Sequence, residues 1–239
     1  LILFTLGSFV MRGAGCCIND IFDRDFDRKI KRTKKRPLAS GSLNVIESII
    51  FTLFQLLLGL IILLQFETNV IILSFMIMPL VLTYPLFKRF TYFPQIILGL
   101  AFNWGVLVGY QSQTENFNFS ILYLYFAGVF LTTAYDTVYG FQDIKGDKTI
   151  GLKSLAILFE KKRKSLRLIY VLSSIFFSIF FFVTYANTFL SVLSSLIVFS
   201  LLIKQFLNFE NGVEINKIFK SNVETGAIIT FLIILQNYL

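Results

Sequence analysis

The chain has 239 residues, 56% of them hydrophobic and 17% aromatic, with a mean hydropathy of +0.74 and a net charge of +8. This composition excludes a soluble globular domain. Histidine is absent, which weighs against the common histidine-based hydrolases and against zinc.

Apolar runs of the roughly 20 residues needed to cross a bilayer recur along the whole length. They fall at 1–19, 44–65, 70–87, 93–111, 119–143, 165–184, 188–206 and 222–239. Runs this long satisfy their backbone hydrogen bonds internally as helices rather than as a barrel. The predicted fold is therefore all-α, a polytopic transmembrane helix bundle of about eight spans in one domain, 1–239. The first span contains the only cysteines, Cys16 and Cys17. Neighbours on a helix do not bridge easily, so they are read as small packing residues.

The loops between spans carry a strong charge asymmetry. One alternating set, 20–43, 88–92, 144–164 and 204–221, holds 21 of the 22 basic residues once Arg167, at its helix end, is counted with the adjacent loop. The opposite loops, 66–69, 112–118 and 185–187, have no Lys or Arg, and Arg12 is the single exception, inside the first span. By the positive-inside rule the basic loops face the cytoplasm, or the matrix of a mitochondrion. This explains the net charge without nucleic acid and implies contact with lipid headgroups.

All seven aspartates lie in two short segments, each where an apolar run meets a basic loop. The first is Asn19-Asp20-Ile21-Phe22-Asp23-Arg24-Asp25-Phe26-Asp27. On a helix Asn19, Asp20, Asp23 and Asp27 share one face, whereas Asp25 points away and is expected to pair with Lys29. The second runs from Asp136 through Asp143 to Asp147, spaced i, i+7, i+11, again one face if the helix is continuous. Asp136 would sit about 10 Å deeper than Asp143 at 1.5 Å per residue. Charge balance alone does not call for a carboxylate at that depth. Opposed, the two faces would make a carboxylate pocket that repels itself unless hard cations fill it, and Mg²⁺ takes oxygen ligands. Arg24, Arg28 and Arg36 flank the first segment, and Lys145, Lys148 and Lys153 the second. Carboxylates, Mg²⁺ and basic side chains together are how proteins hold a diphosphate.

Asn19-Asp20-x-x-Asp23-Arg24-x-x-Asp27, followed by Lys31-Arg32-Thr33-x-x-Arg36-Pro37-Leu38, resembles the first signature of the UbiA family of intramembrane prenyltransferases. Tyr135-Asp136-Thr137-x-Tyr139-x-x-x-Asp143-x-x-x-Asp147-x-x-Ile150-Gly151-x-Lys153-Ser154 resembles the second. Tyr84-Pro85-Leu86-Phe87-Lys88-Arg89-x-Thr91-x-x-Pro94-Gln95 is similar to the branch that prenylates 4-hydroxybenzoate. Family members usually have nine helices, so the resemblance implies a chain without the first. It also implies that Asn19, Asp23, Asp27, Asp143 and Asp147 hold two Mg²⁺ ions on an allylic diphosphate, with Asp20 and Asp136 in support. Arg24, Arg36 and Lys153 would neutralise phosphate, and Arg89, with Lys88, would receive the acceptor's carboxylate.

The implied reaction moves a polyprenyl group from polyprenyl diphosphate to the ring carbon beside the hydroxyl of 4-hydroxybenzoate, a membrane step of ubiquinone biosynthesis. Asp143 or the diphosphate would take the ring proton. Alternatives are a related enzyme with another aromatic acceptor and, further off, a cation transporter, which would want its carboxylates nearer the midplane. With no Arg-rich leader visible, the expected location is the bacterial inner membrane with the site facing the cytoplasm; the mitochondrial inner membrane is the alternative. Most of the 29 phenylalanines are expected to face lipid, with Phe102 and Trp104 candidates for a chain-binding wall. Gly99, Gly105 and Gly109 are expected to permit close helix packing.

Overall fold

The computed structural model describes residues 1–30 and 33–238. Lys31 and Arg32 of the first signature, and Leu239 of the last expected span, lie outside the described residues. Among the described residues every regular element is helical. The chain divides into two compact units, Leu1–Phe87 with Gln111–Glu115, and Lys88–Tyr110 with Asn116–Leu239.

The first unit opens with α1 (Ile2–Asp27), which continues well past the apolar run and carries the first aspartate segment on its last two turns. A short α2 (Pro37–Ser40) follows, with Pro at the first helical position, where its missing N–H costs nothing. Asn44 starts α3 (Val45–Leu63) through a capping box: its side chain accepts from Glu47 N at 2.8 Å and Glu47 returns a bond to Asn44 N at 2.9 Å. Helices α1 and α3 pack along their length. The third span is two pieces, α4 (Thr68–Met76) and α5 (Met78–Phe90), broken at Ile77. Pro79 explains the break, because it has no N–H to give the preceding turn. Pro85 lies inside α5, buried.

The second unit takes up the end of α5 and continues with α6 (Pro94–Gln111), α7 (Ile121–Gly140), α8 (Ile144–Thr149) and α9 (Leu155–Phe159). A 3₁₀ turn, Arg163–Ser165, leads into α10 (Leu166–Thr184), then α11 (Thr188–Glu210) and α12 (Ile215–Tyr238). Helix α7 is the most enclosed of the spans and packs against α10 and α12. Buried polar side chains tie these helices together: Ser173 Oγ donates to Ala127 O at 2.8 Å, and Gln205 Nε2 donates to Thr225 Oγ1 at 3.0 Å. These two bonds pair donors that would be costly in hydrocarbon. Sixteen of the 29 phenylalanines are exposed and five are buried, as expected of a lipid-facing surface.

Among the described residues, seven helical segments are long and apolar enough to cross a membrane. The eighth expected span is the 18-residue α6, whose Gln95, Asn103 and Gln111 dilute its apolar character. Its glycines differ from expectation. A Cβ at Gly99 would stand 2.8 Å from the Val129 carbonyl oxygen, so α6 and α7 meet closely there. At Gly105 and Gly109 a Cβ would meet nothing within 4 Å.

Candidate functional site

In the first unit the unbroken α1 turns sequence spacing into a polar face. Asp23 and Asp27 are buried, Asn19 and Asp20 half-buried, and the Asp25 side chain is 68% exposed on the other side. Asn19 is positioned by Tyr84 of α5, whose hydroxyl donates to Asn19 Oδ1 at 3.2 Å. Arg36 reaches back from the entry to α2, and its Nη1 donates to Asp20 Oδ1 at 2.8 Å and to Asp27 Oδ2 at 3.0 Å. Thr33 Oγ1 donates to the Asp27 carbonyl at 3.2 Å, fixing the turn that brings Arg36 round. Arg28 Nε donates to Ala39 O at 3.1 Å, which secures α2 beside the end of α1.

One expectation is corrected here. Asp25 pairs with Arg24 at 2.9 Å and Arg28 at 3.6 Å rather than with Lys29. Arg24, expected to face phosphate, has its Nε on this exposed neighbour, which its long flexible side chain reaches. Both cysteines are free, and Cys17 Sγ lies 3.9 Å from Gln55 Oε1 in the α1–α3 contact.

In the second unit the aspartates do not share one continuous helix. Helix α7 ends at Gly140, and the next amides bond three residues back: Phe141 to Val138, Gln142 to Tyr139, and Asp143 to Gly140 at 3.0 Å. This tightening re-aims the chain, and α8 begins after Asp143. Asp136 therefore lies half-buried on α7, while Asp143 stands at the N-cap of α8 and Asp147 within it. The i, i+7, i+11 argument fails at Gly140. Among the described residues no three acidic or cysteine side chains are gathered into a ready-made metal cluster.

Lys153 and the residues after it are held by the segment that begins at Lys88. Lys153 N donates to Lys88 O at 2.8 Å, and its Nζ donates to Phe90 O at 3.2 Å and lies 5.7 Å from the centre of the Tyr92 ring. The buried Gln95 completes the clasp, its Oε1 accepting Leu155 N at 3.0 Å. Gly151 at φ +75° makes the turn that leads into this clasp, a conformation open to glycine at little cost. Ser154 caps α9 by accepting Ile157 N at 3.3 Å. Lys88 and Arg89 are half-buried at the end of α5. Outside the spans, Lys148 is bonded to Glu160, which holds that carboxyl below its ordinary range. Lys145 is exposed. Phe102 is 57% exposed, and Trp104 packs edge-on against Tyr125 at 5.9 Å. Gln95 and Tyr84 as positioning residues were not anticipated, although both lie in the segment quoted for the 4-hydroxybenzoate branch.

A multi-pass helical membrane protein with buried carboxylates at a helix end defines the class. Residues 1–223 match the UbiA prenyltransferase family, and the chain belongs to it. It is 47% identical over 163 residues to the mitochondrial 4-hydroxybenzoate polyprenyltransferase of Drosophila melanogaster, covering 68% of this chain and 42% of that protein. The Homo sapiens protein of the same name is 46% identical over 165 residues, covering 69% of this chain and 44% of its own length. The match thus spans less than half of these relatives. Among solved structures, the apo UbiA homolog from Aeropyrum pernix K1 superposes with a TM-score of 0.76 at 22% identity, covering 100% of this chain and 89% of that one. A UbiA homolog from Archaeoglobus fulgidus, bound to GPP and Mg²⁺, gives 0.74 at 17% identity, covering 99% and 87%.

Proposed function

We propose that this chain transfers a polyprenyl group from polyprenyl diphosphate to the ring carbon ortho to the hydroxyl of 4-hydroxybenzoate, a membrane step of ubiquinone biosynthesis. The observation that carries the reading is the buried pair Asp23 and Asp27, facing inward at the end of a membrane helix. The names of relatives at 46–47% identity supply the acceptor.

The donor set suits magnesium. Asn19, Asp23, Asp27, Asp143 and Asp147 offer only oxygen, the ligand type Mg²⁺ prefers. Those five residues would hold two ions together with the diphosphate. When bound, Mg²⁺ supplies charge neutralisation on the diphosphate as the allylic C–O bond breaks.

This chain's own residues do the rest. Arg36, bonded to Asp20 and Asp27, sets the direction of these carboxylates. Tyr84 holds the Asn19 side chain in place by donating its hydroxyl to Asn19 Oδ1. Lys153, held on Phe90 O by an exposed hydrogen bond, would offer its ammonium to phosphate. Arg24, although turned to Asp25 here, stays in the proposal as a second phosphate partner, since a surface pair of this kind holds only weakly. Arg89 and Lys88 would take the acceptor carboxylate, and Asp136 would support the second carboxylate segment from below. A bundle that excludes water protects the allylic cation until the ring carbon attacks. Asp143 or the departing diphosphate then takes the ring proton.

The relatives' mitochondrial names support the mitochondrial inner membrane, and the bacterial inner membrane is the alternative; expression of a tagged full-length gene in its own host separates them. The basic loops would place the site on the matrix or cytoplasmic side. The reaction is tested with membranes containing the chain, Mg²⁺, radiolabelled 4-hydroxybenzoate and a polyprenyl diphosphate. Label should pass into a lipid-soluble product. If label moves only when another aromatic acceptor is supplied, the acceptor assignment is wrong.

A further inference from the structure

A groove of about 350 Å³ runs along the outer side of α10, lined by Val171, Ser174, Ile175, Ser178, Phe182 and, from α11, Phe199. The two serines leave it apolar in character. Ser174 Oγ donates to Tyr170 O at 3.0 Å and Ser178 Oγ to Ser174 O at 2.9 Å, so both hydroxyl protons are spent on their own helix. From Val171 to Val183 the lining extends roughly 18 Å at 1.5 Å per residue. That is close to one leaflet, about half of a hydrocarbon core roughly 30 Å thick.

The upper end of the groove is strongly basic. Arg167 stands one helical turn before Val171 and two before Ser174, on the same face. Lys161, Lys162, Lys164 and Arg167 are all exposed. Arg163 is engaged elsewhere, over the rings of Phe141 at 5.3 Å and Phe209 at 5.9 Å, and so anchors the turn that presents its neighbours. From 161 to 209 there is no Asp or Glu, and Glu210, the last residue of α11, is the one carboxylate on the two helices beside the groove. Glu160, just upstream, is bound to Lys148.

We propose that this face is a binding site for one anionic phospholipid, its phosphate on Lys164 and Arg167 and one acyl chain in the groove. Charge complementarity selects the headgroup, and the length and dryness of the groove select the alkyl chain. The site is separate from the aspartate segments and does not depend on the reaction proposed above.

The test uses the purified full chain in detergent and native mass spectrometry with phosphatidylglycerol and phosphatidylcholine of identical acyl chains. Phosphatidylglycerol should be retained at lower concentration than phosphatidylcholine. The double variant Lys164→Gln/Arg167→Gln should weaken phosphatidylglycerol binding roughly thirtyfold, from about a factor of five per basic residue near an anionic surface, and leave phosphatidylcholine unchanged. Both side chains are exposed, so the bundle's packing is kept. Ser178→Leu, which fills the groove while keeping both charges, should weaken both lipids. Equal retention of the two lipids by the wild type, or an unchanged double variant, would overturn the proposal. Displacement of phosphatidylglycerol by polyprenyl diphosphate with the same sensitivity to Ser178→Leu would overturn it too, because the groove would then belong to the donor's tail.

Discussion

Single side chains divide sharply according to the face of α1 they occupy. Asp23 and Asp27 are buried while Asp25 is exposed and satisfied by Arg24 and Arg28. Asp23→Ala and Asp27→Ala should each lower prenyl transfer by roughly a hundredfold or more, as loss of a metal ligand in the bond-breaking step implies. Asp25→Ala should stay within about twofold in the same assay, and an equal loss there would refute the face assignment. Arg89 tests the acceptor. A charge-assisted bond is worth roughly 1.5–3 kcal/mol, so Arg89→Ala should lose about 10- to 150-fold in kcat/KM for 4-hydroxybenzoate. Arg89→Lys should recover only part, since a point charge cannot reproduce a planar fork. If Arg89→Ala instead raises KM for the diphosphate alone, Arg89 serves the donor. The α1 face was legible because its residues sit on one regular helix, where i, i+3 and i+4 relations hold by geometry. The pairing of Arg24 with Asp25 was not, because adjacent residues on a helix normally diverge and only long flexible side chains bring them together.

At the scale of elements, the second aspartate segment shows where periodicity stops informing. Spacing of seven and eleven residues fixes a common face only on an uninterrupted helix, and α7 tightens and ends at Gly140. The clasp on Lys153 was equally hidden, since it is built from the carbonyls of Lys88 and Phe90, and a backbone acceptor leaves no mark in side-chain pattern. Gln95 is its one readable member. Gln95→Leu removes the acceptor of the buried Leu155 amide and should cost about 1–3 kcal/mol of stability. Gln95→Glu keeps an acceptor oxygen and should recover most of it, as thermal unfolding in detergent would report. Glycines make a second contrast within α6. Gly99→Ala places a methyl against the Val129 carbonyl and should destabilise by about 1–3 kcal/mol through overpacking. Gly105→Ala meets open space and should be neutral or slightly stabilising, because alanine is the better helix former. Equal melting temperatures for the two variants would mean that α6 and α7 do not approach as described.

At the scale of the whole molecule, composition alone established a polytopic helical membrane protein, since the runs were long and continuous and nothing in hydrocarbon competes with the helix for the backbone. The number of spans was less legible, because α6 carries Gln95, Asn103 and Gln111 and crosses the border between a polar span and a helix sheltered by protein. The central claim is that oxygen ligands on the two aspartate segments serve a magnesium-dependent prenyl transfer to 4-hydroxybenzoate. Its most direct measurement is incorporation of radiolabelled 4-hydroxybenzoate into lipid by membranes carrying the chain, with EDTA and then Mg²⁺ added in turn. Label should enter lipid in Mg²⁺, cease in EDTA, return with Mg²⁺ or Mn²⁺, and never appear with Asp23→Ala. Full incorporation in EDTA, or undiminished incorporation by Asp23→Ala, would contradict the account.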